Sequence, residues 1–129
     1  MAHSLADGII SESIEVKLYN LTKSDQSDIV KEVLDAKALL IGSPTLNNGM
    51  FPTVAGFPCY LKGLKPKDKI GAAFGSHGWA GGAVKAAQQE LGQAGIEVLD
   101  SNLAIRFVPD KDEIQICFDF SKTIAGRIK

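Results

Sequence analysis

Metal-ligating and redox side chains are scarce in this 129-residue chain, which has two cysteines, two histidines and one tryptophan. Cys59 and Cys117 stand far apart, in no zinc or Cys-x-x-Cys spacing, and read as reduced, buried thiols. His3 and His77 have no partner at ligand spacing, so a protein-built transition-metal site is not expected. Neither sign of charge dominates: 14 Lys and Arg stand against 15 Asp and Glu. The cations are scattered, which argues against a nucleic-acid groove or an anionic-membrane anchor. No apolar run approaches the roughly 20 residues of a membrane span. "MAHSLADGII" lacks the basic start and apolar core of a secretory leader. A cytoplasmic, single-domain protein is the expectation.

Helical and strand patterns alternate through the rest. Ala2, Leu5, Ala6 and Ile9 recur at helical spacing, with Gly8 weakening that helix. Ile14–Leu21 alternates apolar and polar residues and reads as a strand with one exposed face. Ser24 or Asp25 caps a helix that carries Ile29, Val30, Val33 and Leu34 on one face. "ALLIG" is a continuous apolar run, the pattern of a strand covered on both sides. Pro52 starts a helix running to about Leu61, which Pro58 is expected to kink or shorten. "KIGAAFG" is a second buried strand, and the helix from Ala83 to Ala94 is stopped by Gly95. "VLDSNLAIRFV" reads as a last strand with a break near Ser101. Asp110 and Glu113 form a capping box opening the final helix. The order implies an α/β layer protein with a mostly parallel sheet and right-handed crossovers.

Two glycine-rich stretches follow the buried strands: "GSPTLNNG" (Gly42 to Gly49) and "GSHGWAGG" (Gly75 to Gly82). In open α/β sheets ligands bind beyond the carboxyl ends of strands. Small residues leave backbone N–H groups uncovered there, and Ser43, Thr45, Asn47, Asn48 and Ser76 add short polar side chains. Trp79 supplies a flat face for stacking. The pattern suits a planar heterocycle with hydrogen-bonding edges. Against this stands the plainer reading, in which the glycines make turns and the tryptophan fills a core. A serine-hydrolase elbow at Ser76 is disfavoured, because Phe74 replaces the first glycine of that motif.

"GSPTLNNGMFPTVAGF" followed by "LKGLKPKDKIGAAFGSHGWAGGAVK" resembles the flavodoxin-like domain of flavodiiron proteins, also called A-type flavoproteins. The resemblance covers nearly the whole chain and implies a flavodoxin-like three-layer fold that binds FMN and transfers electrons. By that resemblance Ser43, Pro44, Thr45, Leu46, Asn47 and Asn48 contact one edge and face of the flavin ring. Ser76, His77, Gly78, Trp79, Ala80, Gly81 and Gly82 close over the other side, with Trp79 near the ring. Electrons would come from a reductase or rubredoxin and pass to a diiron centre that reduces nitric oxide or dioxygen.

The resemblance also marks two departures. The diiron domain that precedes this module in the family is not in the chain, so no catalytic metal is expected here. The first strand and phosphate-binding loop of a flavodoxin are also not represented, since "MAHSLADGI" resembles the helix that follows that loop. The sheet is then expected to rearrange, with Ile14–Leu21 pairing directly with Ala38–Ile41, or to self-associate into a homo-oligomer. FMN binding is expected to be weak. A non-catalytic, cofactor-free interaction domain is the alternative.

Overall fold

In the computed structural model, residues 1–46, 49–78, 81–100 and 103–128 are described. In chain order they form α1 (Ala2–Ile10), α2 (Gln26–Asp35), β1 (Ala38–Gly42), β2 (Thr45–Leu46), β3 (Gly49–Met50) and α3 (Pro52–Leu64). Then come β4 (Ile70–His77), α4 (Ala83–Gln93), β5 (Glu97–Val98), β6 (Ala104–Arg106) and α5 (Lys111–Ile128). Strand β4 is the hub of the sheet. It pairs in parallel with β1 on one side and with both β5 and β6 on the other. Gly71 faces Val98 while Gly75 faces Ala104, so two extra residues are accommodated between β5 and β6. That is the interruption expected near Ser101, which itself lies outside the described residues.

Two apolar layers sandwich the sheet. Ile29, Val33, Val54, Phe57, Leu61 and Leu91 bring α2, α3 and α4 onto one face. Leu5, Leu103, Ile105 and Cys117 cluster with Leu40 and Phe74 under α1 and α5 on the other. The helix α1 runs through Gly8 without a break. Gly8 is buried against α5, where a Cβ would lie 1.8 Å from Ser121 Oγ.

Several terminal signals act as their chemistry dictates. Asp25 caps α2 by accepting the Ser27 amide at 2.9 Å. Asp110 and Glu113 form a reciprocal box, with Glu113 N–H donating to Asp110 Oδ1 at 2.8 Å and Asp110 N–H to Glu113 Oε1 at 3.1 Å. Gly95 takes φ +87 just past α4, a left-handed position that glycine occupies without penalty. The buried Lys69 ammonium donates to the carbonyls of Leu34 and Ala36, satisfying the C-terminal end of α2.

Three expectations are corrected. Pro58 does not shorten α3, which continues past Leu61 to Leu64 with Pro58 buried inside it. Burial of Val54, Phe57 and Leu61 around the proline offsets the lost backbone bond. Leu34 is exposed, because α2 buries only the narrow stripe of Ile29 and Val33. The largest difference concerns Ile14–Leu21. This segment joins no β-ladder, and it does not pair with Ala38–Ile41. It is held to α2 by the Lys17–Glu32 ion pair at 2.7 Å. Alternation alone signals a half-buried extended chain, but a strand also needs a partner edge within bonding distance.

Candidate functional site

Strand β1 ends beside β4, with Gly42 opposite Phe74 and the Ser43 amide donating to Phe74 O at 3.1 Å, while β4 runs on to His77. The approach is so close that a Cβ on Gly75 would stand 2.0 Å from Ser43 O. Only a glycine fits there. The sequence reading did not single out Gly75 as a site residue; a glycine inside a strand pattern was the signal for close backbone approach.

After Ser43 the chain folds back as the β2–β3 ladder, with Thr45 opposite Met50 and Leu46 opposite Gly49. Thr45 Oγ1 accepts the amides of Gly82 at 3.3 Å and Ala83 at 3.2 Å. Gly82 is the N-cap residue of α4 and has no side chain to serve that helix end. A threonine from the neighbouring loop supplies the acceptor instead. The Ser43 hydroxyl, itself buried, donates to Pro44 O and accepts the Phe51 amide, both at 2.8 Å. The hydroxyls of Ser43 and Thr45 are therefore committed to holding the two loops in place. Pro44 and Leu46 are exposed beside them.

Strand β4 extends further than the sequence suggested. Ser76 and His77 belong to it rather than to the following loop, paired with Ile105 and Arg106. Ser76 is thus a sheet residue and not the apex of a strand-to-helix elbow, which removes the hydrolase reading. His77 Nδ1 is shielded from solvent and has no hydrogen-bond partner among the described residues. Its ring lies against Gly81, where a Cβ would come within 3.2 Å of His77 Cδ2. The His77 carbonyl accepts the Phe107 amide at 2.8 Å, which puts the exposed Phe107 beside Gly78, with the exposed Val108 next in the chain. Phe107 carries a positive φ of 59 and lies under the Arg106 guanidinium, 5.1 Å from its ring centroid. Nothing in the sequence pattern distinguished that tip.

Asn47, Asn48, Trp79 and Ala80, all named from the sequence, lie outside the described residues. Their described flanks meet: the Thr45–Gly82 and Thr45–Ala83 bonds tie the two stretches together at one end of the sheet. Among the described residues no group of three His, Cys, Asp or Glu could hold a metal ion.

Residues 1–120 match the model of the flavodoxin family. The chain belongs to that family. This flavodoxin domain is 44% identical over 129 residues to a nitric oxide reductase of Moorella thermoacetica, across 99% of the chain and 32% of that relative. It superposes with a TM-score of 0.92 on rubredoxin oxygen:oxidoreductase from Desulfovibrio gigas, at 37% identity, covering 98% of the domain and 31% of that chain. The flavodiiron protein from Giardia intestinalis gives a TM-score of 0.88 at 28% identity, over 98% of the domain and 32% of that chain. The flavodoxin domain spans about a third of the length of the curated relatives it matches. The α/β class, the mostly parallel sheet and the resemblance to flavodiiron proteins are borne out.

Proposed function

We propose that this domain binds FMN at the joined carboxyl ends of β1 and β4 and passes electrons to and from a partner protein or diiron domain. The observation that carries the reading is the hydroxyl of Thr45 bridging two glycine-rich stretches into one site. A second feature supports it: the shielded Nδ1 of His77 beside Gly81, without a partner among the described residues, is the kind of polar atom that a heteroaromatic edge would satisfy. FMN, when bound, supplies one- and two-electron transfer. The residues of this chain supply position: Pro44 and Leu46 on one side, Gly78, Gly81 and Gly82 on the other, with Asn47, Asn48, Trp79 and Ala80 assigned by the resemblance. Ser43 and Thr45 act through the frame, since their hydroxyls are engaged internally. The exposed Phe107 next to Gly78, followed in the chain by the exposed Val108, gives a partner protein an apolar contact close to the flavin edge.

Binding is proposed to be weak. The described frame offers ring contacts, while a large groove opens the site along β1 beside Ser43 and Ser76. Phosphate affinity in such folds comes from backbone donors at a helix N-terminus, and by the resemblance that helix is α1, whose N-cap residue Met1 offers no side-chain hydrogen bond of its own. Titration of FMN with the protein, followed by quenching of flavin fluorescence, tests the reading. Saturable quenching at one flavin per chain with modest affinity is expected. A complete lack of quenching at high protein concentration would leave the alternative, an interaction domain without cofactor.

A further inference from the structure

The turn that follows β4 is pinned from the far side of the sheet. Odd-numbered residues near the end of β4 turn their peptide groups toward β6. The Gly75 amide donates to Leu103 O at 3.0 Å, and His77 O accepts the Phe107 amide at 2.8 Å. Even-numbered residues face β1, where Phe74 O accepts the Ser43 amide. A trans peptide is planar, with its carbonyl and its N–H on opposite sides. Since Phe107 holds His77 O, the Gly78 N–H of the same trans peptide unit is aimed the other way, toward the β1 side from which the β2–β3 ladder springs. No described residue accepts it.

Phe107 holds that peptide from a strained backbone. Its φ of 59 is left-handed, and the other described non-glycine residues with positive φ are Ser13, Lys65 and Asp68, none of them aromatic. A bulky side chain keeps that conformation only where its surroundings over-determine it. Burial does not offset the cost, because Phe107 is 63% exposed. Two contacts set the ring instead. The Arg106 guanidinium stands 5.1 Å from its centroid, and its Cε1 lies 3.8 Å from where a Cβ on Gly78 would be. No described carboxylate pairs with Arg106, so the guanidinium rests on the ring alone. A ring that served only as an apolar contact for a partner could sit on an unstrained backbone.

We infer that Phe107 is a positioning residue for the flavin site. Its amide and ring lock the His77–Gly78 peptide, so that the Gly78 N–H stays a fixed donor to an acceptor atom on the edge of the bound ring. The inference rests on the flavin reading and deepens it. A donor held in place before binding needs no ordering when the ligand arrives. Because the carbonyl of that peptide is occupied, the unit cannot turn over to present an acceptor instead. The site therefore selects heterocycle edges that accept a hydrogen bond at this position over edges that donate one.

The test uses the full chain and FMN. In the parent protein, saturating FMN is expected to slow hydrogen exchange at the Gly78 amide about tenfold or more. Phe107→Gly keeps the amide and relieves the left-handed strain, so its denaturation midpoint is expected to equal or exceed that of the parent. Its FMN affinity, read by fluorescence quenching, is nonetheless expected to fall about three- to tenfold, the worth of one hydrogen bond. Protection of the Gly78 amide is expected to fall with it. Phe107→Tyr keeps the ring and is expected to retain parent affinity, while Arg106→Gln gives an intermediate loss. Parent-like affinity in Phe107→Gly, or a parent Gly78 amide that FMN leaves unprotected, overturns the inference while the flavin reading stands. A loss of affinity matched by a loss of stability and shared by Phe107→Tyr overturns it as well. If the parent does not quench FMN at all, the flavin reading itself fails and this inference with it.

Discussion

The hydroxyl of Thr45 stands 3.2 Å from the amide of Ala83, so one loop caps the helix that follows the other. The two ends of the site are thereby coupled. Replacing Thr45 with valine keeps the shape and removes the acceptor. Loss of such a cap costs about 1 kcal/mol, within a range of roughly 0.5–2. Urea denaturation should show that loss, Thr45→Ser should recover most of it, and flavin quenching should weaken in Thr45→Val. If the valine variant matches the parent in both stability and flavin binding, the coupling is wrong.

Gly75 and the Ser43 carbonyl define the tightest approach between the site strands. A methyl group at 2.0 Å from a backbone oxygen cannot be absorbed by a rotamer change, so the strands must part. We expect Gly75→Ala to destabilise the domain by about 1–3 kcal/mol, the usual range for overpacking. The denaturation midpoint measures it. Parent-like stability would mean that β1 and β4 separate more easily than their pairing implies.

At Gly8 two effects oppose each other. In an exposed helix Gly→Ala stabilises by roughly 0.5–1 kcal/mol. Here the new methyl would meet Ser121 Oγ at 1.8 Å and the Phe118 carbonyl at 2.5 Å, and the second is backbone. Packing wins, so Gly8→Ala should lower the melting temperature. Adding Ser121→Gly should recover part of the loss and not all of it. A rise in melting temperature for the single variant would show that α1 shifts on α5 freely.

Burial pushes the Cys117 thiol above its ordinary pKa, while Cys59 is exposed. A thiol-specific chromogenic reagent at mildly alkaline pH should titrate one fast thiol per chain, with the second appearing only in denaturant. The sign of the linkage follows. A thiol whose folded pKa is raised contributes stability at pH below its unfolded value, and that contribution is lost as pH rises through the folded pKa. Cys117→Ala should flatten the alkaline limb of the stability profile. Two equally fast thiols in the folded protein would contradict this burial.

Local chemistry was legible wherever a residue's partners lie close in sequence. The Asp110–Glu113 box, the Asp25 cap, the left-handed Gly95 and the apolar runs of β1 and β4 depend on neighbours a few residues away. The positions of the two glycine-rich stretches at strand ends followed from the same patterns. The role of Thr45 did not, since its partners are 37 and 38 residues away.

The sequence alone determined which segments are helical or extended, because capping, turn geometry and apolar period act over one or two turns of chain. Tertiary structure alone decided that Ile14–Leu21 stays outside the ladder, that Pro58 sits inside a continuous helix and that Thr45 serves α4. Each of those outcomes is set by a hydrogen-bond partner or packing surface contributed from elsewhere in the chain, and distance in space has no fixed signature in residue order.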